Sequence, residues 1–173
     1  MPTPKHLLTL IAILAVGAVA LAVGLQVGLG MEPCAWCTFQ RVIFLAVAAS
    51  ALLGASLHRV RAAFMAAAGL TALLAAGGVW AALHQQFVAA KADSCVYTFA
   101  DRFLLRTGLD ERFPLLFEAT ASCADANAPL LGLPFAAWSA ALFALLCLAS
   151  LVALRDSGRQ ARLPQTTRPR SPR

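Results

Sequence analysis

Cys34 and Cys37, two residues apart in Glu-Pro-Cys-Ala-Trp-Cys, and Cys95 and Cys123, at either side of a polar stretch, are the residues of this chain with types and spacing suited to redox work. Two dithiol pairs that can meet exchange disulfides, and each exchange moves an electron pair. The attacking species is the thiolate, so the question is which sulfur carries the charge. Pro33 commonly precedes or opens a helix, which would put Cys34 and Cys37 at a helix N-terminus, where the macrodipole favours negative charge. Arg41 follows Cys37 by four residues, so on a helix the guanidinium and the sulfur share a face. Cys37 is therefore the expected stabilised thiolate. A CxxC pair serves metal and redox sites alike, and a cation on the same face favours redox because it opposes metal loading.

The elements that position these thiols are set by composition. Hydrophobic residues make up 60% of the chain and charged residues 13%, a balance no ordinary soluble domain of this length carries. A bilayer core takes about 20 apolar residues per helix. Segments 7–29, 39–57, 62–83 and 135–154 meet or nearly meet that length, and their only Asp, Glu, Lys or Arg is Arg41. The runs are continuous and rich in Ala and Leu, where a barrel strand would alternate. The expected fold is an all-α membrane protein, a four-helix transmembrane bundle. The first segment is longer than the apolar core of a cleaved signal and reads as an anchor. Gly17, Gly24, Gly54, Gly69, Gly77 and Gly78 offer close helix approach.

Lys5, Arg59, Arg61 and the Arg-rich end from Arg155 onward fall on one face of that bundle, which the positive-inside rule makes cytoplasmic. Both termini then lie inside, and the loops at about 30–38 and 84–134, with all four paired cysteines, lie outside. Residues 155–173 read as a basic, disordered tail, and anionic lipid headgroups account for its charge without nucleic acid. In the long outer loop Val96, Phe99 and Phe103 recur at helical spacing between charges, an amphipathic helix lying on the membrane or on the ends of the bundle. The small, polar residues around Cys123 read as flexible. His84 closes the third segment near the depth of Cys37 and Arg41, either a donor to a carbonyl ligand or an interfacial histidine, with Gln85 and Gln86 as weaker alternatives. Trp36 and Trp80 read as interfacial anchors, and Cys147 as a buried, inert thiol.

Taken together, Pro33-Cys34-Ala-Trp-Cys37-Thr-Phe-Gln-Arg41 after one apolar helix, Leu83-His84 ending the third, Cys95 and Cys123 in the second outer loop, and Gly132-Leu-Pro with Trp138 entering the fourth resemble the disulfide bond formation protein B (DsbB) family. The resemblance spans about residues 7–154, and residues 1–154 are taken as one membrane thiol oxidase domain. It implies a bacterial inner-membrane protein-dithiol:quinone oxidoreductase that reoxidises the periplasmic oxidant DsbA, the relay that keeps the periplasm oxidising. On that likeness Cys95 receives electrons from DsbA through a mixed disulfide, with Cys123 as its partner. The loop pair then exchanges with the CxxC pair, Cys34 meeting Cys123. Cys37 passes the electrons to bound ubiquinone or menaquinone, with Arg41 holding the thiolate–quinone pair and His84 close by.

Other readings fit some of the same residues. A relative serving a dedicated thiol partner would use the same cysteines. A reductase of the vitamin K epoxide type would place its CxxC late in the chain, the reverse of the order here. A metal transporter using Cys34, Cys37 and His84 would need further ligands along the spans, which offer only Cys147. The four outer cysteines allow three pairings.

Overall fold

The computed structural model describes residues 4–91, 98–127 and 129–160. Cys95, Val96 and residues 161–173 of the basic tail lie outside the described residues. Three long helices come first: α1 (Pro4–Leu29), α2 (Ala35–Ser56) and α3 (Arg61–Phe87). The outer connection then holds α4 (Phe99–Thr107), α5 (Leu109–Arg112), α6 (Pro114–Phe117) and a minimal hairpin of β1 (Pro129–Leu130) and β2 (Leu133–Pro134), before the long α7 (Phe135–Gln160). The four long helices each have the length and apolar composition to cross a membrane. The chain is an all-α membrane protein of the multi-pass type.

α3 is the hub of the bundle, packing most extensively on α7 and next on α2, while α1 lies along α2 and meets α7 only lightly. The core is a band of Leu8, Ile11, Phe44, Val47, Phe143 and Leu146, with alanines between them. Phe44 and Phe143 stack at 3.8 Å between ring centroids. Two glycines make this approach possible. A Cβ on Gly78 would lie 2.4 Å from atoms of the Phe143 ring, and one on Gly54 would lie 2.7 Å from Leu8. Gly17, Gly24, Gly69 and Gly77 have open space where a Cβ would be, so the expectation of close approach holds for two positions only. A polar contact inside the span joins α2 to α3, Ser50 Oγ to Thr71 Oγ1 at 2.9 Å.

The ends of the helices depart from the apolar runs. α2 starts at Ala35, four residues before the apolar run at Phe39, so Cys37 stands in the helix and Cys34 caps it with extended backbone. Thr38, Gln40 and Arg41 break the apolar pattern yet are buried, because they face other protein elements where lipid would otherwise be met. α3 runs on to Phe87, placing His84 in its last turn. α7 continues through Leu154 to Gln160, since a helix can extend into water once its apolar face has ended. A second cluster closes the end of the bundle that carries the CxxC pair, joining Cys34, Trp36 and Ala81 to Ala100 and Leu104 of α4 and Phe117 of α6. α4 is started by a reciprocal capping box between Thr98 and Asp101 and stopped by Gly108 at φ 61°. Its Ala100 and Leu104 pack inward, and Phe103 meets Phe39 edge to face at 5.2 Å.

Candidate functional site

The site is assembled at the N-terminus of α2. Pro33 ends the link from α1, the Cys34 carbonyl accepts the amide of Thr38 at 3.0 Å, and one turn of helix brings the two sulfurs of the CxxC pair together. The Cys34 thiol donates to Cys37 Sγ at 3.3 Å. Cys123 joins them from the loop between α6 and β1, its sulfur lying against the Cys34 thiol and the Trp36 amide, both of which favour its charged form. Cys34 thus stands between the other two sulfurs, with one thiol hydrogen to share between them. None of the three is in a disulfide, nor is Cys147. Cys147 is half-buried, and its thiol donates to the Ala72 carbonyl at 3.6 Å.

The two thiols outside the spans are pushed in opposite directions. The hydrogen bonds of Cys34 to Cys123 and to Cys37, together with burial, hold its pKa well above the usual thiol value. Cys123 is lowered, first by the bond from Cys34 and then by the Trp36 amide, against an opposing contribution from burial. Of this pair, Cys123 therefore carries the more thiolate near neutral pH, and Cys34 is the sulfur it faces.

What holds Cys123 there is backbone, in a segment whose composition reads as flexible. The amides of Thr120 and Ala121 both donate to the Pro33 carbonyl, at 3.0 and 3.3 Å. Ser122 and Asp125 then close a small turn, the Asp125 amide donating to Ser122 Oγ at 3.2 Å. Small, polar residues build little structure of their own, but their amides are free to be captured.

Arg41 lies one turn below Cys37 on α2, as the spacing requires, and is buried. Its Nη1 donates to the Leu116 carbonyl at 2.9 Å, so it also ties α6 to α2. Two groups that the sequence reading left aside or ranked low complete the polar end. Gln85 Nε2 donates to Cys37 Sγ at 3.1 Å, and Gln40 Nε2 donates to Gln85 Oε1 at 2.5 Å. The signal that could have found them is an uncharged polar side chain within or just beyond an apolar run, which hydrogen-bonds across helices where it faces protein. His84 stands next to Gln85, with its ring against Trp36 at 4.4 Å and Trp80 at 5.2 Å, and the cavity wall at this level is formed by Gln85. Trp36, read from sequence as an interfacial anchor, is 1% exposed and forms the packed centre of the CxxC turn. The correction follows from α4 and α6, which cover it.

Cys37, Gln40, Arg41 and Gln85 form the polar end of a cavity of about 540 Å³. Its remaining walls are mainly aliphatic and aromatic side chains of α1 and α7, among them Ala18, Leu25, Phe135 and Leu142, with Leu130 and Leu131 of the hairpin. Trp138 Nε1 donates to the Leu130 carbonyl at 3.1 Å and so fixes the hairpin to α7. Such a space accepts a molecule with an apolar body and a polar, hydrogen-bonding head. The Gln40 Oε1 atom, buried and without a partner, shows that the polar end has unused capacity.

A four-helix membrane bundle with three convergent thiols at the head of an apolar cavity defines a membrane thiol–disulfide protein. Residues 4–153 match the family described as disulfide bond formation protein DsbB, and the chain belongs to that family. It is 29% identical to disulfide bond formation protein B of Polaromonas sp. strain JS666, over 91% of this chain and 94% of that protein. It is 32% identical to disulfide bond formation protein B 1 of Pseudomonas savastanoi pv. phaseolicola, over 82% and 83%. With disulfide bond formation protein B of Xanthomonas axonopodis pv. citri the identity is 36%, over 79% and 82%. A disulfide-forming oxidoreductase role comes with the family.

Proposed function

We propose that this protein reoxidises a DsbA-like periplasmic dithiol and delivers the electrons to ubiquinone or menaquinone in the bacterial inner membrane. The observation that carries the reading is the sharing of Cys34 between Cys123 and Cys37 at the head of the apolar cavity. The cysteines gather at one end of the bundle and Arg59 and Arg61 lie in the α2–α3 turn at the other, which supports cytoplasmic termini and periplasmic cysteines.

The chemistry is a sequence of exchanges. A thiolate of the reduced partner attacks Cys95 of a Cys95–Cys123 disulfide, forming a mixed disulfide and releasing Cys123 as thiolate. Cys123 attacks Cys34 of a Cys34–Cys37 disulfide; the Cys34–Cys123 bond forms, the Cys34–Cys37 bond breaks and Cys37 leaves as thiolate. Arg41 and Gln85 receive that charge beside the cavity. The partner's second thiol attacks its own sulfur in the mixed disulfide, leaving the partner oxidised and Cys95 reduced. Cys95 then takes Cys123 back from Cys34, and Cys34 and Cys37 close again as two electrons and two protons leave the site. A bound quinone supplies the acceptor for those electrons and protons. The cavity fits it: apolar walls for the ring and tail, and Arg41 with the amides for the carbonyls. His84, against Trp36, belongs to the same end of the site at one remove.

The test is quinone reduction by purified protein with reduced DsbA as donor, comparing wild type with Cys37→Ser and Cys95→Ser. Turnover in the wild type that is lost in both variants is expected. Absence of turnover in the wild type with either quinone sinks the reading.

A further inference from the structure

Gln85 and Gln40 are 1% and 3% exposed, and they meet inside the bundle at the level of Cys37. A buried carboxamide must place two donors and an acceptor, so its neighbours fix which way round it sits. Cys37 Sγ already accepts from the Cys34 thiol. Gln85 presents Nε2 to the same sulfur and Oε1 to Gln40 Nε2. Every donor in the chain Gln40, Gln85, Cys37 therefore runs toward the sulfur, and the chain ends in the unpaired Gln40 Oε1. Turning Gln85 over would set its oxygen against the sulfur and its NH2 against the NH2 of Gln40. Gln40 opposes that turn unless it turns as well, which its unpaired Oε1 leaves it free to do.

Two donors converging on one sulfur suit a thiolate. A thiol at Cys37 would place its own hydrogen on Cys34 Sγ, 3.3 Å away, and so give up the donor that Cys34 supplies. Hydrogen bonds to a charged acceptor are about twice as strong as neutral ones. Arg41, on the same helix face, adds charge, but its Nη1 is committed to Leu116. Resting on the assignment of Cys37 as the sulfur that faces the electron acceptor, we infer that Gln85, hydrogen-bonded to Gln40, is a positioning residue that holds Cys37 in its thiolate form by donating an N–H to it. Its effect is on the leaving sulfur of the CxxC exchange and needs no ligand in the cavity.

The experiment uses the full chain in nanodiscs without quinone, with Cys37 as its only thiol. Cys34→Ser retains a donor beside it, Cys95→Ser and Cys123→Ser remove the loop thiols, and Cys147→Ala removes the remaining one. Iodoacetamide alkylation is followed against pH. Gln85→Met, of similar length, is expected to slow alkylation about tenfold near neutral pH while leaving the alkaline plateau unchanged. Gln40→Leu should act in the same direction and less. Gln85→Glu, which brings a carboxylate to the sulfur, should displace the profile further than Gln85→Met. Profiles of Gln85→Met and Gln85→Glu that superimpose on the parent overturn the inference. So does a uniform slowing that includes the plateau, which would mark a change of access alone. A wild type that fails to reduce quinone would remove the electron-transfer reading and leave this result standing.

Discussion

The amide of Thr120 donates to the carbonyl of Pro33 at 3.0 Å, joining the residue before one redox cysteine to a residue three before another. Ala121 donates to the same oxygen. This pair of bonds, rather than any property of the thiols, sets Cys123 beside Cys34. Thr120→Pro removes one of the two donors. The yield of a trapped Cys34–Cys123 disulfide, read on non-reducing gels in a Cys37→Ser, Cys95→Ser background, should fall several-fold, with the melting temperature little changed.

Opposite displacements of Cys34 and Cys123 give a pH signature. A lowered thiol has more thiolate at neutral pH and a raised one less, so the alkylation profile of Cys123 lies at lower pH than an ordinary thiol and that of Cys34 at higher pH. In fully reduced protein, mass spectrometry after brief alkylation near neutral pH should find Cys123 modified and Cys34 intact. Modification of Cys34 should appear only as the medium is made alkaline. Because each shift is caused first by the bond between them, Cys123→Ser should bring the Cys34 profile down toward the ordinary range.

Arg41 has two roles that a single substitution separates by readout. Arg41→Met or Arg41→His is expected to weaken quinone reduction by about tenfold or more, the loss of one charge-assisted interaction of roughly 1.5–3 kcal/mol. The protein should still elute as a folded species, since the bundle core of Phe44, Phe143 and their neighbours does not involve this side chain. Unchanged quinone kinetics in both variants would count against Arg41 at the ligand.

The neighbouring glycines of α3 predict a contrast in stability. Gly78→Ala drives a methyl against the Phe143 ring, which is also stacked on Phe44, and overpacking of this kind costs about 1–3 kcal/mol. Gly77→Ala meets open space and should be neutral or slightly stabilising. Thermal melts in one detergent would show the difference as a drop in Tm for the first variant alone.

The spans were legible in the sequence because bilayer thickness and composition set them, and Arg41 was legible because helical spacing alone places it on the Cys37 face. The Gln40–Gln85 pair was not, since its two members lie 45 residues apart and meet only when α2 and α3 pack. Nothing local in either segment announces the other. Trp36 was misread for a related reason: an indole at the end of an apolar run looks the same whether headgroups or α4 and α6 lie above it. The segment around Cys123 misled in the opposite sense, because its composition describes what it builds by itself and says nothing about the Pro33 carbonyl that captures it.

The cavity takes its apolar walls from α1 and α7, the most lightly packed of the neighbouring pairs of long helices, and Leu21 and Leu145 on those walls are exposed on the outer surface of the bundle. In a bilayer that surface faces acyl chains. A ligand with a long apolar tail partitions there at about 0.8 kcal/mol per buried CH₂, so the site samples a two-dimensional reservoir. Saturation is then governed by mole fraction in the lipid, and bulk molarity has little meaning. Adding empty vesicles or micelles at constant total quinone should resemble competitive inhibition, by surface dilution alone.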